Sequence, residues 1–583
     1  MKHGLVAILF LAAAPMACTP SASLPYISGP SQWAVAVTPP MGWNSWDAFA
    51  TTVTEAQVTA QADYMAEKLA RFGWQYVVVD IQWYEPGATG FTYRKNAPVV
   101  MDAFGRLLPA SNKFPSASDG SGFKPLAGMV HRKGLSFGVH LMRGIPRQAV
   151  AMNTPVLGTA FHASEIADTT STCPWNTDMY GVDMRKPGAQ EYYDSVFRQL
   201  AAWGVDFVKV DDLSRPYHRL EIEAIHAAIA RAGRPMVLST SPGETPLAEA
   251  EHVSRNANMW RVSDDFWDTW PALRAQFERM RKWAIYAGPG HFPDADMLPL
   301  GAIRSAAGYG GGNWTRFTQD EQRTMMTLWA IARSPLVMGG DLTRNDAFTL
   351  SLLTNAEVIA VDQASSGNRQ LFNREGHVAW VADVPHSSDI YLAIFNTTDE
   401  DIEQDSSVSS AIKNLGVATY RVRDLWQGRD LGGVGSQFAP RLPRHGAALY
   451  RIARACIRWQ LPGDELHDAR ANAGNTYHRR ALRCDRSVCT ERAGGGTIGC
   501  RCMGHRAGDA CRGRDIPLRD EPVHGGRHGS RRCEDGQGEA AAAFYPVGQS
   551  SHGHHATRGV LHYGDRGGCR TGRGDGAHAL LCG

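Results

Sequence analysis

From about residue 39 to residue 363 the chain alternates short apolar runs with amphipathic stretches. TEAQVTAQADYMAEKLARF (54–72) repeats its apolar positions at helical spacing and leads into YVVVDI, and LSFGVHL (135–141) follows a further helical segment. AQEYYDSVFRQLAAWG (189–204) leads into VDFVKVDD, HRLEIEAIHAAIARAG (218–233) into PMVLSTS, and PALRAQFERMRKWA (271–284) into IYAGPG. A helical period that gives way again and again to a β-branched run is the signature of βα units. No glycine-rich dinucleotide fingerprint follows the first strand, so the units predict an α/β fold of the (β/α)8 barrel type over 36–365 rather than an open doubly wound sheet. Beyond residue 365 the texture changes to short alternating runs, HVAWVADV, IYLAIFNTT, ATYRVRDLW and GAALYRI, parted by polar turns. That pattern predicts an antiparallel β-domain over 366–453.

Length and charge agree with this division. A chain of 583 residues exceeds what one core organises, and a net charge of +2 with no basic stripe argues against a nucleic-acid binder. Residues 1–22 read as a bacterial export signal: a cationic start, an apolar run from Gly4 to Ala14 and small residues before Cys18, too short to span a bilayer. The expected location is therefore outside the cytoplasm: periplasmic, extracellular or, if Cys18 carries a lipid, attached to the outer membrane. Ordinary secretion and lipid attachment both stay open, because Pro15 and Met16 fit a lipoprotein signal poorly. Between Cys18 and residue 453 only Cys173 occurs, so the main body is expected to hold no internal disulfide.

Residues 454–583 resemble neither domain. They carry 20 arginines and no lysine, nine of the 11 cysteines and ten of the 21 histidines, with no sustained helical or strand pattern. The spacings Cys484 to Cys489, Cys500 to Cys502 and then Cys511 contain no paired C-x2-C units, which argues against a metal module. Loss of lysine with a surplus of arginine, glycine and cysteine reads as a frameshifted translation of a GC-rich gene, or else as a disordered extension.

In a barrel of this type, chemistry sits at the C-terminal ends of the strands. The polar residues placed there are Asp80, His140, Lys209 and Asp211, Arg261 with Asp264 and Asp265, and Asp294 with Asp296. Lys209 and Asp211 share one face of their strand, and the ammonium would keep the carboxylate ionised, as a nucleophile requires. A buried ion pair, with Asp212 capping the next helix, is the plainer reading. Asp264 or Asp265 could supply a second carboxyl, since retaining glycosidases set two about 5 Å apart; one of the pair is expected to cap a helix. The tryptophans of MGWNSWDAF (41–49) are either core or a platform for a sugar face.

Taken in order, TPPMGWNSWDAF (38–49), WGVDFVKVD (203–211), WRVSDDFWDTW (260–270), AGPGHFPDADML (287–298), LWAIARSPLVMGGDL (328–342) and VRDLWQGRDLG (422–432) resemble glycoside hydrolase family 27, the α-galactosidase and α-N-acetylgalactosaminidase family. The resemblance implies a barrel followed by an antiparallel β-sandwich, an oligosaccharide or polysaccharide substrate, and double displacement without metal or cofactor. It makes Asp211 the nucleophile, Asp265 the acid/base, and Trp43, Asp80, His140, Lys209, Ser241, Arg261 and Asp296 the substrate-binding residues. The chain departs from the family pattern at three places. Ile81 stands where a second acid follows Asp80, His140 replaces a tyrosine, and Leu213 replaces a cysteine two residues after the nucleophile. Ser241 occupies the position that reads the sugar's 2-substituent, with Glu244 close by; galactosidases place Glu there and N-acetylgalactosaminidases Ser. The expected activity is hydrolysis of terminal α-D-galactosyl residues. A β-L-arabinopyranoside or an α-N-acetylgalactosaminide is the alternative substrate, and a non-hydrolytic carbohydrate-binding protein is the alternative class.

Overall fold

The computed structural model describes residues 35–306, 313–404, 420–434 and 438–454, and the backbone of three short strands between 480 and 501. Eight parallel strands form one sheet: β1 (Met41–Asn44), β2 (Tyr76–Val79), β3 (Ser136–Met142), β4 (Phe207–Asp211), β5 (Val237–Thr240), β6 (Met259–Arg261), β7 (Phe292–Asp294) and β8 (Leu336–Met338). Their spatial order is β7-β6-β5-β4-β3-β2-β1-β8. A parallel bridge from Leu298 to Met338 closes the ring between β7 and β8, with Leu298 N donating to Val337 O at 2.7 Å. The expected barrel is present. Its strands are largely apolar because both faces are covered; all four residues of β2 are buried.

The surrounding helices begin and end where local chemistry directs. In α1 (Glu55–Tyr64) the Thr54 and Gln57 side chains each accept from the other's backbone N–H, a reciprocal cap. In α2 (Lys124–Arg132) the apolar face turns inward. The next helix, α3 (Ala189–Trp203), stops at Gly204, whose φ of 87° is the left-handed conformation a helix end requires. The outer layer continues with α4 (Arg219–Arg231), α5 (Ala250–Asn256), α6 (Trp270–Trp283), α7 (Gln319–Ala332), α8 (Ala347–Leu353) and α9 (Ala356–Ala364). One strand differs from expectation. The run IYAGPG after α6 is a 3-10 turn followed by a loop, with Ile285 78% exposed, and the barrel strand begins seven residues later at Phe292. Gly288, Pro289 and Gly290 turn the chain before it can extend.

The β-domain starts immediately after α9. Six strands, β9 (Ser366–Arg374), β10 (His377–Asp383), β11 (Ile390–Asn396), β12 (Tyr420–Asp424), β13 (Arg429–Val434) and β14 (Ala447–Arg454), pair antiparallel in the order β9-β10-β11-β14-β12-β13. Period-two alternation sends successive residues to two apolar layers. Val378, Trp380, Ala393 and Phe395 join the core of the barrel, where Phe395 meets Phe277 of α6 at 4.9 Å, whereas Ala379, Val381, Leu392 and Ile394 build a separate core. His445 locks the two domains together. Its ring stacks on Trp270 at 3.6 Å and its Nδ1 lies 2.7 Å from Glu321 of α7.

In the arginine-rich tail, Arg480–Cys484, Ser487–Glu491 and Gly499–Arg501 pair as a small antiparallel sheet, where the sequence pattern predicts no strand. The run RALRC and its partner SVCTE are parted by only Asp485 and Arg486, a hairpin spacing that composition masks. The export signal with Cys18, and the rest of the tail, lie outside the described residues. Among the described residues no helix is long and apolar enough to cross a membrane.

Candidate active site

The strands deliver a cluster of charged side chains to their C-terminal ends. Asp211, the last residue of β4, is 5% exposed, and its Oδ1 lies 3.7 Å from Lys209 Nζ. Its Oδ2 lies 3.0 Å from Nε2 of His140. Burial raises the Asp211 carboxyl, but Lys209, His140 and Arg261 together outweigh it and hold the group well below the usual carboxylate range. Lys209 is in turn fixed by Asp80, whose Oδ2 accepts from Nζ at 2.9 Å and from Asn44 Nδ2 at 2.6 Å. Oδ1 of Asp80 accepts from the backbone of Ile81 at 2.8 Å, so the whole Asp80 carboxylate is engaged in holding its neighbours. Burial lowers the Lys209 pKa, and the surrounding carboxylates of Asp211, Asp80 and Asp265 more than reverse this, so the lysine stays charged.

A second cluster gathers around Arg261 at the end of β6. Its Nη2 reaches Asp296 Oδ2 at 2.7 Å and Asp265 Oδ1 at 3.2 Å, and its Nη1 donates to Ser241 Oγ at 3.4 Å. Adjacent acids here have separate destinations. Asp265 turns to Arg261 with its side chain 52% exposed, while Asp264 points out to pair with Arg215. Glu244 likewise turns out, 3.5 Å from Arg279, so Ser241 is the one of that loop which faces the cluster. Asp296 has φ 84° and accepts from Phe266 N at 2.7 Å, which ties it to the residue after Asp265. Burial, together with the charges of Asp265 and Asp294, pushes Asp296 up to about 7 against the pull of Arg261, since one guanidinium cannot neutralise three carboxylates.

Trp43 needs correcting. It is 0% exposed in β1, with Nε1 donating to Gly340 O at 2.8 Å, so it is core and offers no face to a sugar. Trp46, three residues on, lies past the strand end and stacks on Tyr93 at 5.9 Å with the rings 6° from parallel. Alternating apolar positions could not separate the two tryptophans, and Tyr93 sits in a loop with no periodicity to mark it. A third missed residue is Arg143, which follows β3 and is 2% exposed. Its Nη2 and Nε donate to Asp212 Oδ2 at 2.7 and 3.0 Å, its Nε also to Asp212 O at 2.9 Å, and its Nη1 to Glu221 Oε1 at 2.9 Å. Tyr193 completes the group, donating to Glu221 at 2.7 Å. Asp212 has φ 67°, so Arg143 clamps an unusual backbone immediately after Asp211. Asp212 is thus a clamp partner rather than a helix cap.

Asp211 Oδ1, His140 Nδ1, Arg261 Nε and Asp47 Oδ2 are all buried without a hydrogen-bond partner. Buried polar atoms are ordinarily satisfied, and this concentration of them suits a ligand rich in hydroxyls. Among the described residues no group of three or more His, Cys, Asp or Glu side chains is arranged to hold a metal ion. A barrel mouth bearing one ionised buried carboxylate and one half-exposed carboxyl offers the pair of groups that glycoside hydrolysis uses.

Family models match in two places: "Alpha galactosidase A" over residues 177–364 and "Alpha galactosidase C-terminal beta sandwich domain" over residues 375–452. A crystal structure of a family 27 β-L-arabinopyranosidase from Geobacillus stearothermophilus is 53% identical, with a TM-score of 0.69 over 73% of this chain and 98% of that one. A Bacillus halodurans chain provisionally described as an α-N-acetylgalactosaminidase is 48% identical, with a TM-score of 0.64 over 72% and 98%. An α-galactosidase from Cyamopsis tetragonoloba is 27% identical over 71% of this chain and 85% of its own length. The chain belongs to glycoside hydrolase family 27.

Proposed function

We propose that the protein hydrolyses terminal β-L-arabinopyranosides by double displacement, with Asp211 attacking the anomeric carbon. Asp265 gives its proton to the leaving oxygen and then takes one from the water that releases the glycosyl enzyme. The observation that carries the substrate is Ile81, which follows Asp80 just past the end of β2, where the family pattern has a second acid. β-L-Arabinopyranose has the ring configuration of α-D-galactopyranose and lacks only the C5 hydroxymethyl. A galactoside would bring its extra hydroxyl to a site with isoleucine in place of the second carboxylate. Leaving that hydroxyl unpaired costs about 1–3 kcal/mol, or roughly tenfold to a hundredfold in selectivity. The 53% identity to an arabinopyranosidase, against 27% to the α-galactosidase, supports the same choice over the α-galactoside that the family motifs first suggest.

Ser241, 1% exposed and turned toward Arg261, favours a second reading, an α-N-acetylgalactosaminide. The test is kcat/KM on the 4-nitrophenyl β-L-arabinopyranoside, α-D-galactopyranoside and α-N-acetylgalactosaminide. We expect the arabinopyranoside to lead by at least about tenfold and Ile81→Asp to narrow its lead over the galactoside. A wild-type preference for either other sugar overturns the assignment. The anomer first released, read by proton NMR, tests double displacement, and inversion rejects it.

A further inference from the structure

Five aromatic side chains from four different strand-end loops touch in sequence around the barrel mouth. Trp267, two residues after the acid/base, meets Phe91 edge to face at 5.9 Å, and Phe91 meets Trp46 in the same way at 5.5 Å. Trp46 stacks on Tyr93 at 5.9 Å, and Tyr93 leans on Trp175 at 5.4 Å. Trp46 follows β1, Phe91 and Tyr93 follow β2, Trp175 follows β3 and Trp267 follows β6, so no single local segment explains the arc. All but Trp46 are partly exposed, whereas core aromatics of this barrel such as Trp83 and Trp260 are fully buried. The Tyr93 phenol is pushed up by burial and then by the charges of Asp211, Asp265 and Asp80. The Trp267 end is fixed in place. The Arg304 guanidinium lies 4.8 Å from its ring centre and is held by Asp268, which is 2% exposed and also accepts from Arg316 N at 2.7 Å.

We propose that Trp267 and Phe91 form the leaving-group subsite, which accepts an aglycone presenting an apolar ring face. This rests on Asp265 as the acid/base: the group that protonates the leaving oxygen must lie on the side from which the leaving group departs, and Trp267 is on that loop. Aromatic rings supply large contact area to a flat or axial C–H face without requiring a fixed hydrogen-bond pattern, so the subsite reads ring shape rather than linkage. An aryl group and a second sugar ring share that chemistry.

The direct test measures binding without turnover. In an Asp211→Asn background, Kd is determined for methyl, 4-nitrophenyl and disaccharide glycosides of the preferred sugar, with and without Trp267→Ala or Phe91→Ala. We expect either substitution to weaken the 4-nitrophenyl or disaccharide ligand about tenfold relative to its effect on the methyl glycoside, and Trp267→Phe to recover most of the loss. Loss with the aryl ligand alone assigns the subsite to aromatic aglycones, and loss with the disaccharide as well assigns it to sugar rings. An equal loss for all three, or no loss, overturns the proposal. If the sugar assignment fails, a different glycone binds best in the same titrations, and the comparison among aglycones is made on that glycone.

Discussion

The two carboxyls of the active site are held in opposite ways. Asp211 is nearly buried, flanked by Lys209 and His140, and backed by the Arg143 clamp on the next residue. Asp265 is half-exposed and touches one partner, Arg261, at 3.2 Å. The difference fits the roles proposed for the two groups. A nucleophile must stay ionised and meet one carbon along one line, which favours burial among cations. An acid/base must exchange protons with water in every cycle, which requires an open path to solvent.

Removing the buried partner should therefore have the largest effect. Asp211→Asn is expected to lower kcat by on the order of 10⁴-fold or more on every substrate, whatever its leaving group, because in the proposed double displacement no other group forms the covalent intermediate. Residual activity within tenfold of wild type would remove Asp211 from the mechanism. Asp265→Asn should cost about 10²–10⁴-fold on substrates with poor leaving groups. On a 2,4-dinitrophenyl glycoside, which departs without a proton, its kcat/KM should stay close to wild type. An equal loss on both leaving groups would show that Asp265 is not the proton donor.

The Arg143 clamp is next and is read as stability. Arg143→Leu strands Asp212 and Glu221 as buried carboxylates without their cation, so the expected loss is about 3–5 kcal/mol in denaturant unfolding. Both carboxyls are already raised by burial in the presence of Arg143. The double substitution Arg143→Leu with Glu221→Gln should recover part of the loss, and a double variant as unstable as the single would show that charge burial is not its cause.

The same contrast marks what the sequence discloses. The Asp211 side is legible because VVVD and FVKVD each end a largely apolar run on an acid, and a barrel strand has only one chemically active end. Even there the clamp is hidden: Arg143 lies 69 and 78 residues from its partners, and HLMRG looks like any strand end. The Asp265 side is less legible because loops build it. Nothing in SDD says which acid turns inward until Arg261 and Arg215 claim one each. Trp43 and Trp46 are both apolar positions of one short motif, and only the end of β1 after Asn44 separates core from mouth. In FTYRKN (91–96) no period exists to expose Phe91 and Tyr93 as part of a collar.

The smallest expected effect lies between the two carboxyls, at Asp296, which connects Arg261 to the backbone of the acid/base loop. Its carboxyl is pushed up to about 7 in the folded protein from an ordinary value of 3.8, so between these limits the folded state binds a proton that the unfolded state has released. The stability this contributes is fully present below about pH 4 and is lost as pH rises through about 7. Asn cannot titrate, so the stability of wild type relative to Asp296→Asn should fall by on the order of 3 kcal/mol from pH 4 to pH 7, most steeply at about pH 5–6. Urea unfolding of both proteins at pH 4, 5.5 and 7 measures it. Parallel curves would mean that Arg261 keeps Asp296 ionised throughout and that the shortage of positive charge falls on Asp294 instead. Asp294→Asn would then be the substitution that flattens the profile.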